Sequence, residues 1–188
     1  MKFQEAQKEV LKTLSSKFFL ERIKEEDPNM VKYIPVFKEI NAEGFLTINS
    51  QSGKQSRGKA SVHTGKPYVI NERAYMDGFL KEDQAEQFIK NIALHTDKNA
   101  ILITSCKEAN IPPALDIPLT VTESAGNMTI NTHMSTVLPE TVMAMYRKQL
   151  HLNKSEKVVY VFCWDTKWNR VAMSKDGLFK DILWSLKA

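Results

Sequence analysis

Gly44-Phe45-Leu46-Thr47-Ile48-Asn49-Ser50-Gln51 ends a helix and opens a strand. The residues ahead of it, Pro35-Val36-Phe37-Lys38-Glu39-Ile40-Asn41-Ala42-Glu43, read as a short helix with proline in the first turn. Gly44 supplies the left-handed position that commonly closes such a helix. Phe45 to Gln51 then runs as one strand. Under strict alternation Leu46, Ile48 and Ser50 share one face, and Thr47 and Asn49 share the other. Hydroxyl and amide side chains spread along one strand make this the first candidate for a site.

Outward from this block, Phe3, Ala6, Val10, Leu14 and Phe18, with Leu11 and Phe19 beside them, recur at helical spacing. The spacing predicts an amphipathic helix to about Lys24, broken at Asp27-Pro28. On the other side, Gln51 to Pro67 is rich in Gly, Ser and Lys, and reads as a mobile basic loop or an extended hairpin. Tyr68 to Leu80 is a strand, Glu82 to Ala93 a helix with acids in its first turn, and Ala100 to Thr104 a buried strand. Leu119 to Thr122 and Met128 to Thr132 pair as a hairpin turning at Ala125-Gly126-Asn127. A helix opens near Pro139, Val158 to Trp164 is the most apolar strand, and Leu178 to Leu186 closes as a helix. Helices interleaved with strands of both hairpin and crossover type give an α+β or mixed α/β fold, with no second core: a single domain over 1–188.

The chain has 188 residues, of which 43% are apolar and 26% charged, an ordinary globular balance. Its net charge of +4 is too small to name a partner, but its distribution is uneven. Between Glu43 and Glu72 the charged residues are Lys54, Arg57, Lys59 and Lys66, a candidate contact for an anion or a partner. Cys106 and Cys163 lie in or beside apolar runs and read as reduced, buried thiols. An intracellular, cytoplasmic protein is the default expectation. Glu5, Glu9 and Glu21 interrupt the N-terminal apolar residues, so no signal peptide and no membrane span is expected.

Gly53-Lys54-Gln55-Ser56-Arg57-Gly58-Lys59-Ala60 satisfies the spacing of a phosphate-binding loop but places Ala60 where Mg²⁺ needs Ser or Thr. Gly65 and Pro67 also deny it a long following helix, so a solvated basic loop is the better reading. Four positive charges free of acids could neutralise nucleic-acid phosphates, but no nucleic-acid fold signature accompanies them. His63, His95, His133 and His151 are scattered singly, without metal-ligand spacing. A cysteine inside Val161-Phe162-Cys163-Trp164 would be buried and inert. No acid–base pair stands at catalytic spacing, so the chain is read as non-catalytic.

The block Gly44 to Gln51, followed by Tyr68-Val69-Ile70-Asn71-Glu72-Arg73-Ala74-Tyr75-Met76-Asp77-Gly78-Phe79 and by Glu82-Asp83-Gln84-Ala85-Glu86-Gln87-Phe88, resembles the C-terminal regulatory domain of eukaryotic methylenetetrahydrofolate reductase. The resemblance is close over about Pro35 to Leu94, thin from Asn99 to Met134, and looser from Thr136 through Trp184. It implies two small mixed or antiparallel sheets side by side with flanking helices, and a site for S-adenosylmethionine or S-adenosylhomocysteine. The matching strand of that family contributes a Thr and a Ser to the ligand, which fall on Thr47 and Ser50. A later Thr falls on Thr136, and another on Thr120 or Thr122. Where the family has a Glu-Thr pair, this chain has Asn29-Met30, so the carboxylate that meets the ligand's positive charge is absent from that position. Glu25, Glu26 or Asp27 could replace it only with a backbone shift.

The chain holds no catalytic barrel and no flavin site, so the resemblance implies a stand-alone regulatory-type domain without FAD, and a homodimer by family precedent. The rival expectation is a structural or interaction protein that keeps the fold without the ligand and uses the basic loop to bind an unidentified protein or nucleic acid.

Overall fold

The computed structural model describes residues 1–26, 28–58, 65–110 and 114–188, except the side chains of Glu26 and Asn29. Two helices, α1 (Phe3–Ser15) and α2 (Lys17–Glu26), precede a 3₁₀ segment over Pro28–Tyr33 and helix α3 (Ile34–Ala42). Strands β1 (Leu46–Ser52), β2 (Gln55–Gly58) and β3 (Tyr68–Lys81) follow, then helix α4 (Glu82–Ile92) and strand β4 (Lys98–Cys106). The chain continues through β5 (Asp116–Ser124), β6 (Asn127–Ser135), β7 (Val137–Pro139), α5 (Glu140–Gln149), β8 (Val158–Trp168) and α6 (Leu178–Lys187). The architecture is α+β.

The continuous N-terminal helix expected from periodicity is two helices. Ser16 takes an extended backbone conformation, and its Oγ accepts a hydrogen bond from the Phe19 backbone N–H at 3.2 Å, which starts α2 afresh. The restart rotates the apolar stripe. Leu14 and Phe3 are buried, but Phe18 is 75% exposed.

The two adjacent sheets expected from the resemblance are two halves of one connected sheet. Its main order is β6-β5-β3-β8-β4-β7, with β1 and β2 also paired to β3. The 14-residue strand β3 runs through both halves. Its first part, Tyr68 to Glu72, lies between β2 and β5, while its second part pairs with β1 on one flank and β8 on the other. These pairings are antiparallel, and β4 with β7 is parallel. Gln55 to Gly58 of the expected basic loop is strand β2, in register with Tyr68 to Asn71. The β5–β6 hairpin turns where the sequence placed it, with Ala125 and Gly126 at φ of 53° and 80°, as a two-residue mirror-image turn requires.

Both faces of the central strands are covered. Met76 and Leu80 of β3 and Val161 and Cys163 of β8 pack with α3, α4 and α6, while Phe79, Tyr160 and Phe162 pack on the opposite face with Ile103, Leu150 and Leu152. A strand buried on both faces needs a continuous apolar run, which explains Val158 to Trp164. Cys163 is buried as expected, whereas Cys106 is only half-buried, and neither is bonded to the other.

One charged cluster sits inside this framework. The Lys98 ammonium is fully buried and meets Asp97 Oδ1, Asp181 Oδ2 and the Asp176 carbonyl, each at 2.9 Å. Asp165, also fully buried, is 3.8 Å from Lys98 Nζ and takes a two-pronged contact from Arg170, which also reaches Asp97. Arg170, and after it Lys98, hold the Asp97 carboxyl well below the usual carboxylate range. The cluster locks the turn before β4, the segment after β8 and helix α6 together.

Candidate functional site

Strand β1 departs from the sequence pattern at one residue. It pairs Leu46 with Phe79 and Thr47 with Gly78, then steps to Asn49 opposite Asp77 and Ser50 opposite Met76, leaving Ile48 as an extra residue. One inserted residue reverses the alternation beyond it. Thr47 and Ser50, which strict alternation separates, therefore share the face of Met76, and Asn49 moves to the face of Leu46 and Phe79.

Gly78 makes this geometry possible. A Cβ there would stand 2.1 Å from the Leu46 carbonyl oxygen and 2.8 Å from the Phe45 ring. Only a residue without a side chain lets β1 approach β3 so closely at the step.

Four consecutive residues of β1, Thr47 to Ser50, line a cleft of about 630 Å³. The size suits a nucleoside-sized ligand. Helix α1 contributes Glu9, Thr13 and Leu14, α2 contributes Phe19, and Met30 and Phe37 complete an apolar wall, while Tyr75, Gln149 and His151 border the polar side. An apolar wall facing a few fixed polar groups is the usual character of a small-molecule site.

The polar groups are held by two buried side chains that the sequence did not single out. Asn41, fully buried in α3, accepts from the Thr47 backbone N–H at 3.0 Å and donates to the Thr47 Oγ1 at 2.9 Å and the Phe37 carbonyl at 2.8 Å. Asp77, fully buried in β3, accepts from the Asn49 backbone N–H at 2.8 Å and from the Asn49 Nδ2 at 3.2 Å to each oxygen. Burial pushes the Asp77 carboxyl up to about 6, although the Asn49 hydrogen bonds oppose the shift. Nearby, Tyr146 stacks on Tyr160 at 5.3 Å, and the Tyr160 hydroxyl is buried without a hydrogen bond of good geometry among the described residues. Burial, then the charge of Asp77, pushes Tyr75 up to about 12 and Tyr160 higher still.

The Asp77 shift has a testable sign. A carboxyl that binds its proton more tightly in the folded chain than in the unfolded one, where it titrates near 4, contributes stability that is fully present below about pH 4. That contribution is lost as pH rises through about 6. Asp77→Asn removes the titration. The melting temperature of the variant minus that of the parent should therefore increase by roughly 5–10 °C between pH 4 and pH 7. A difference that stays flat across this range in parallel thermal melts would mean that Asp77 is charged at all these pH values.

Of the five residues assigned to a ligand by resemblance, the structure brings Thr47 and Ser50 to the cleft and leaves the three threonines elsewhere. The Thr120 hydroxyl pairs with the Gln51 side chain at 3.3 Å, near the far end of β1. Thr122 Oγ1 accepts from Asn131 Nδ2 across the hairpin, and Thr136 Oγ1 accepts from the Leu115 backbone N–H at 3.1 Å. Lys54 and Arg57 are exposed on and beside β2, and neither they nor Lys66 line the cleft. Lys59 lies outside the described residues, as do Asp27 and His63.

Met30 lines the cleft where the resembled family has threonine, and Glu25 does not. The acid that does line it among the described residues is Glu9, from α1, with Lys12 3.7 Å away. Glu9 was legible only as one of the acids that interrupt an apolar N-terminal stretch. Among the described residues no helix is long and apolar enough to cross a membrane. No family model matches the chain, and no curated protein matches it at a significant level.

Proposed function

We propose that this chain is a non-catalytic ligand-binding module whose cleft takes S-adenosylmethionine or S-adenosylhomocysteine. The observation that carries the reading is the extra residue Ile48, which turns Thr47 and Ser50 to one face, where both line the cleft. These are two of the five residues that the resemblance to the reductase regulatory domain assigns to the ligand; Thr120, Thr122 and Thr136 do not line the cleft. The apolar wall suits the flat and thioether parts of such a molecule, and Glu9 offers a carboxylate to its positive charge from a different element than in the resembled family. The hydroxyls and amides of β1 suit recognition of such a ligand, and the reading assigns no catalytic role to Glu9, Tyr75 or His151, which also line the cleft.

The test is the melting temperature with millimolar S-adenosylmethionine and, separately, S-adenosylhomocysteine. A ligand at 100 times its dissociation constant stabilises by about 2.7 kcal/mol, or roughly 5–10 °C for a chain of this size. Thr47→Ala and Ser50→Ala should each cut that shift to less than half. If neither ligand moves the melt while the unliganded variants melt like the parent, the ligand reading is wrong. Salt-sensitive binding to nucleic acid through Lys54 and Arg57 would then favour the interaction reading.

A further inference from the structure

The cleft meets β1 along its edge. Thr47, Ile48, Asn49 and Ser50 all line it, although the step at Ile48 leaves their side chains on both faces of the sheet. A cavity that touches consecutive residues of both faces runs beside the strand, in the plane of the sheet. Among the described residues β1 pairs with β3 alone, so its other edge carries no ladder. The wall facing that edge is one side of α1, where Ala6, Glu9, Val10, Thr13 and Leu14 recur at helical spacing.

Hydrogen bonds already in place fix which main-chain groups of β1 face this wall. Asn49 gives its N–H to Asp77 Oδ1 on β3 at 2.8 Å. The Thr47 N–H turns instead to Asn41 of α3 at 3.0 Å, and the Ser52 carbonyl accepts from the Ala172 N–H at 2.7 Å, outside the ladder. Successive residues of a strand direct their main-chain groups to opposite edges. Ser50, one residue beyond Asn49 and two before Ser52, therefore directs both its N–H and its C=O away from β3. Neither group meets a partner among the described residues. An N–H and a C=O side by side on an open edge are the pair that one residue of an antiparallel strand satisfies in both directions.

The two sides of the cleft differ in chemistry. Leu14 and Phe37 belong to the apolar layer of Met76, and Phe19 and Met30 pack against it, whereas Tyr75 packs against the layer of Phe79 and Tyr160. Gln149 and His151 make the border with Tyr75 polar. A strand laid along β1 sends alternate side chains to these two sides, so its sequence alternates apolar with polar. Glu9 is the acid that lines the cleft among the described residues, which favours a basic residue in the segment and disfavours an acidic one. The face of α1 from Ala6 to Leu14 is about 12 Å long, room for about four extended residues.

We propose that β1 accepts an extended segment of a partner protein as an added antiparallel strand, with Ser50 exchanging both main-chain hydrogen bonds with one residue of that segment. The segment alternates apolar and polar residues, carries Lys or Arg, and has no acid. This goes beyond the small-molecule reading and does not depend on it: the binding groups are main-chain groups, and the two occupants exclude each other from one cleft.

Titration of the isotopically labelled intact chain with acetyl-Lys-Leu-Thr-Leu-Thr-amide, followed by nuclear magnetic resonance, tests this. At millimolar peptide the Ser50 amide proton should move downfield as it gains a carbonyl acceptor. N-methylation removes one main-chain donor from the peptide and keeps every side chain. Scanned along the peptide, it should weaken binding about tenfold or more at the residue opposite Ser50, and less than about twofold at that residue's two neighbours, whose N–H groups point away from β1. Ser50→Pro removes the open N–H at an edge position that leaves the β1–β3 ladder intact, so the variant should melt near the parent yet bind the peptide about tenfold more weakly. Absence of any movement of the β1 amides at millimolar peptide overturns the inference. So does binding that N-methylation weakens nowhere, since side chains alone would then anchor the peptide, and so does a folded Ser50→Pro protein that binds like the parent. The thermal shift with S-adenosylmethionine tests the other reading separately, whichever of these results is obtained.

Discussion

Lys98→Met is expected to lower the folding free energy by about 3–5 kcal/mol, as measured by equilibrium urea unfolding. The ammonium has three hydrogens, and the fold supplies three acceptors at 2.9 Å: Asp97 Oδ1, Asp181 Oδ2 and the Asp176 carbonyl. Methionine matches the length of the side chain but satisfies none of them. It leaves Asp97, Asp165 and Asp181 facing one another with Arg170 and Lys167 as the remaining cations. The cost therefore comes from uncompensated charge, more than from the loss of the pairs themselves. Lys98→Arg should also be costly, since a planar fork cannot reproduce three donors radiating from one atom. A loss below about 1 kcal/mol for Lys98→Met would show that water reaches the cluster and screens it.

Gly78→Ala is expected to cost about 3 kcal/mol and to abolish ligand binding. The added methyl would stand 2.1 Å from the Leu46 carbonyl oxygen, a backbone atom that can yield only if β1 moves as a unit. Displacing β1 disturbs the step at Ile48, and with it the shared orientation of Thr47 and Ser50. The stability loss and the binding loss should therefore appear together, in contrast to Thr47→Ala, which weakens binding with a smaller effect on folding. The comparison is made by urea unfolding and thermal shift on the same preparations. A Gly78→Ala protein that folds with parental stability and binds normally would mean that β1 and β3 are farther apart in solution.

Much of the fold was legible because its elements carry strong local signals. Pro35 and Gly44 bracket α3, Ala125 and Gly126 mark the β5–β6 turn, and Val158 to Trp164 is too apolar to lie anywhere but between two layers. The break between α1 and α2 was missed because Phe18 and Phe19 continue the helical spacing across Ser16, and the spacing carries no record of a local cap. The single sheet was read as two because the change of partners along β3 leaves no mark in its own sequence. At the site, the residue types were legible and their facing was not. Alternation puts Thr47 and Ser50 on opposite faces, and only pairing with a strand that carries Gly78 reveals the inserted Ile48. The buried supports Asn41 and Asp77 were invisible for a related reason. Each looks like a polar residue in an apolar segment until its partner six or twenty-eight positions away is in place.

The passage of β3 through both halves of the sheet also orders events in time. Its flanks are completed by β1, which precedes it in the chain, and by β8, whose first paired residue, Val158, lies opposite Lys81. As the chain leaves the ribosome, β1 and β3 emerge near each other and can pair before Gln149 and His151 of the cleft have been made. The second flank of β3 stays bare until most of the remaining protein has been made. Contacts that close so long a loop form slowly. The polypeptide therefore carries its recognition strand early and its scaffold late, and the interval between them is when the bare edge is most open to pairing with a neighbouring nascent chain.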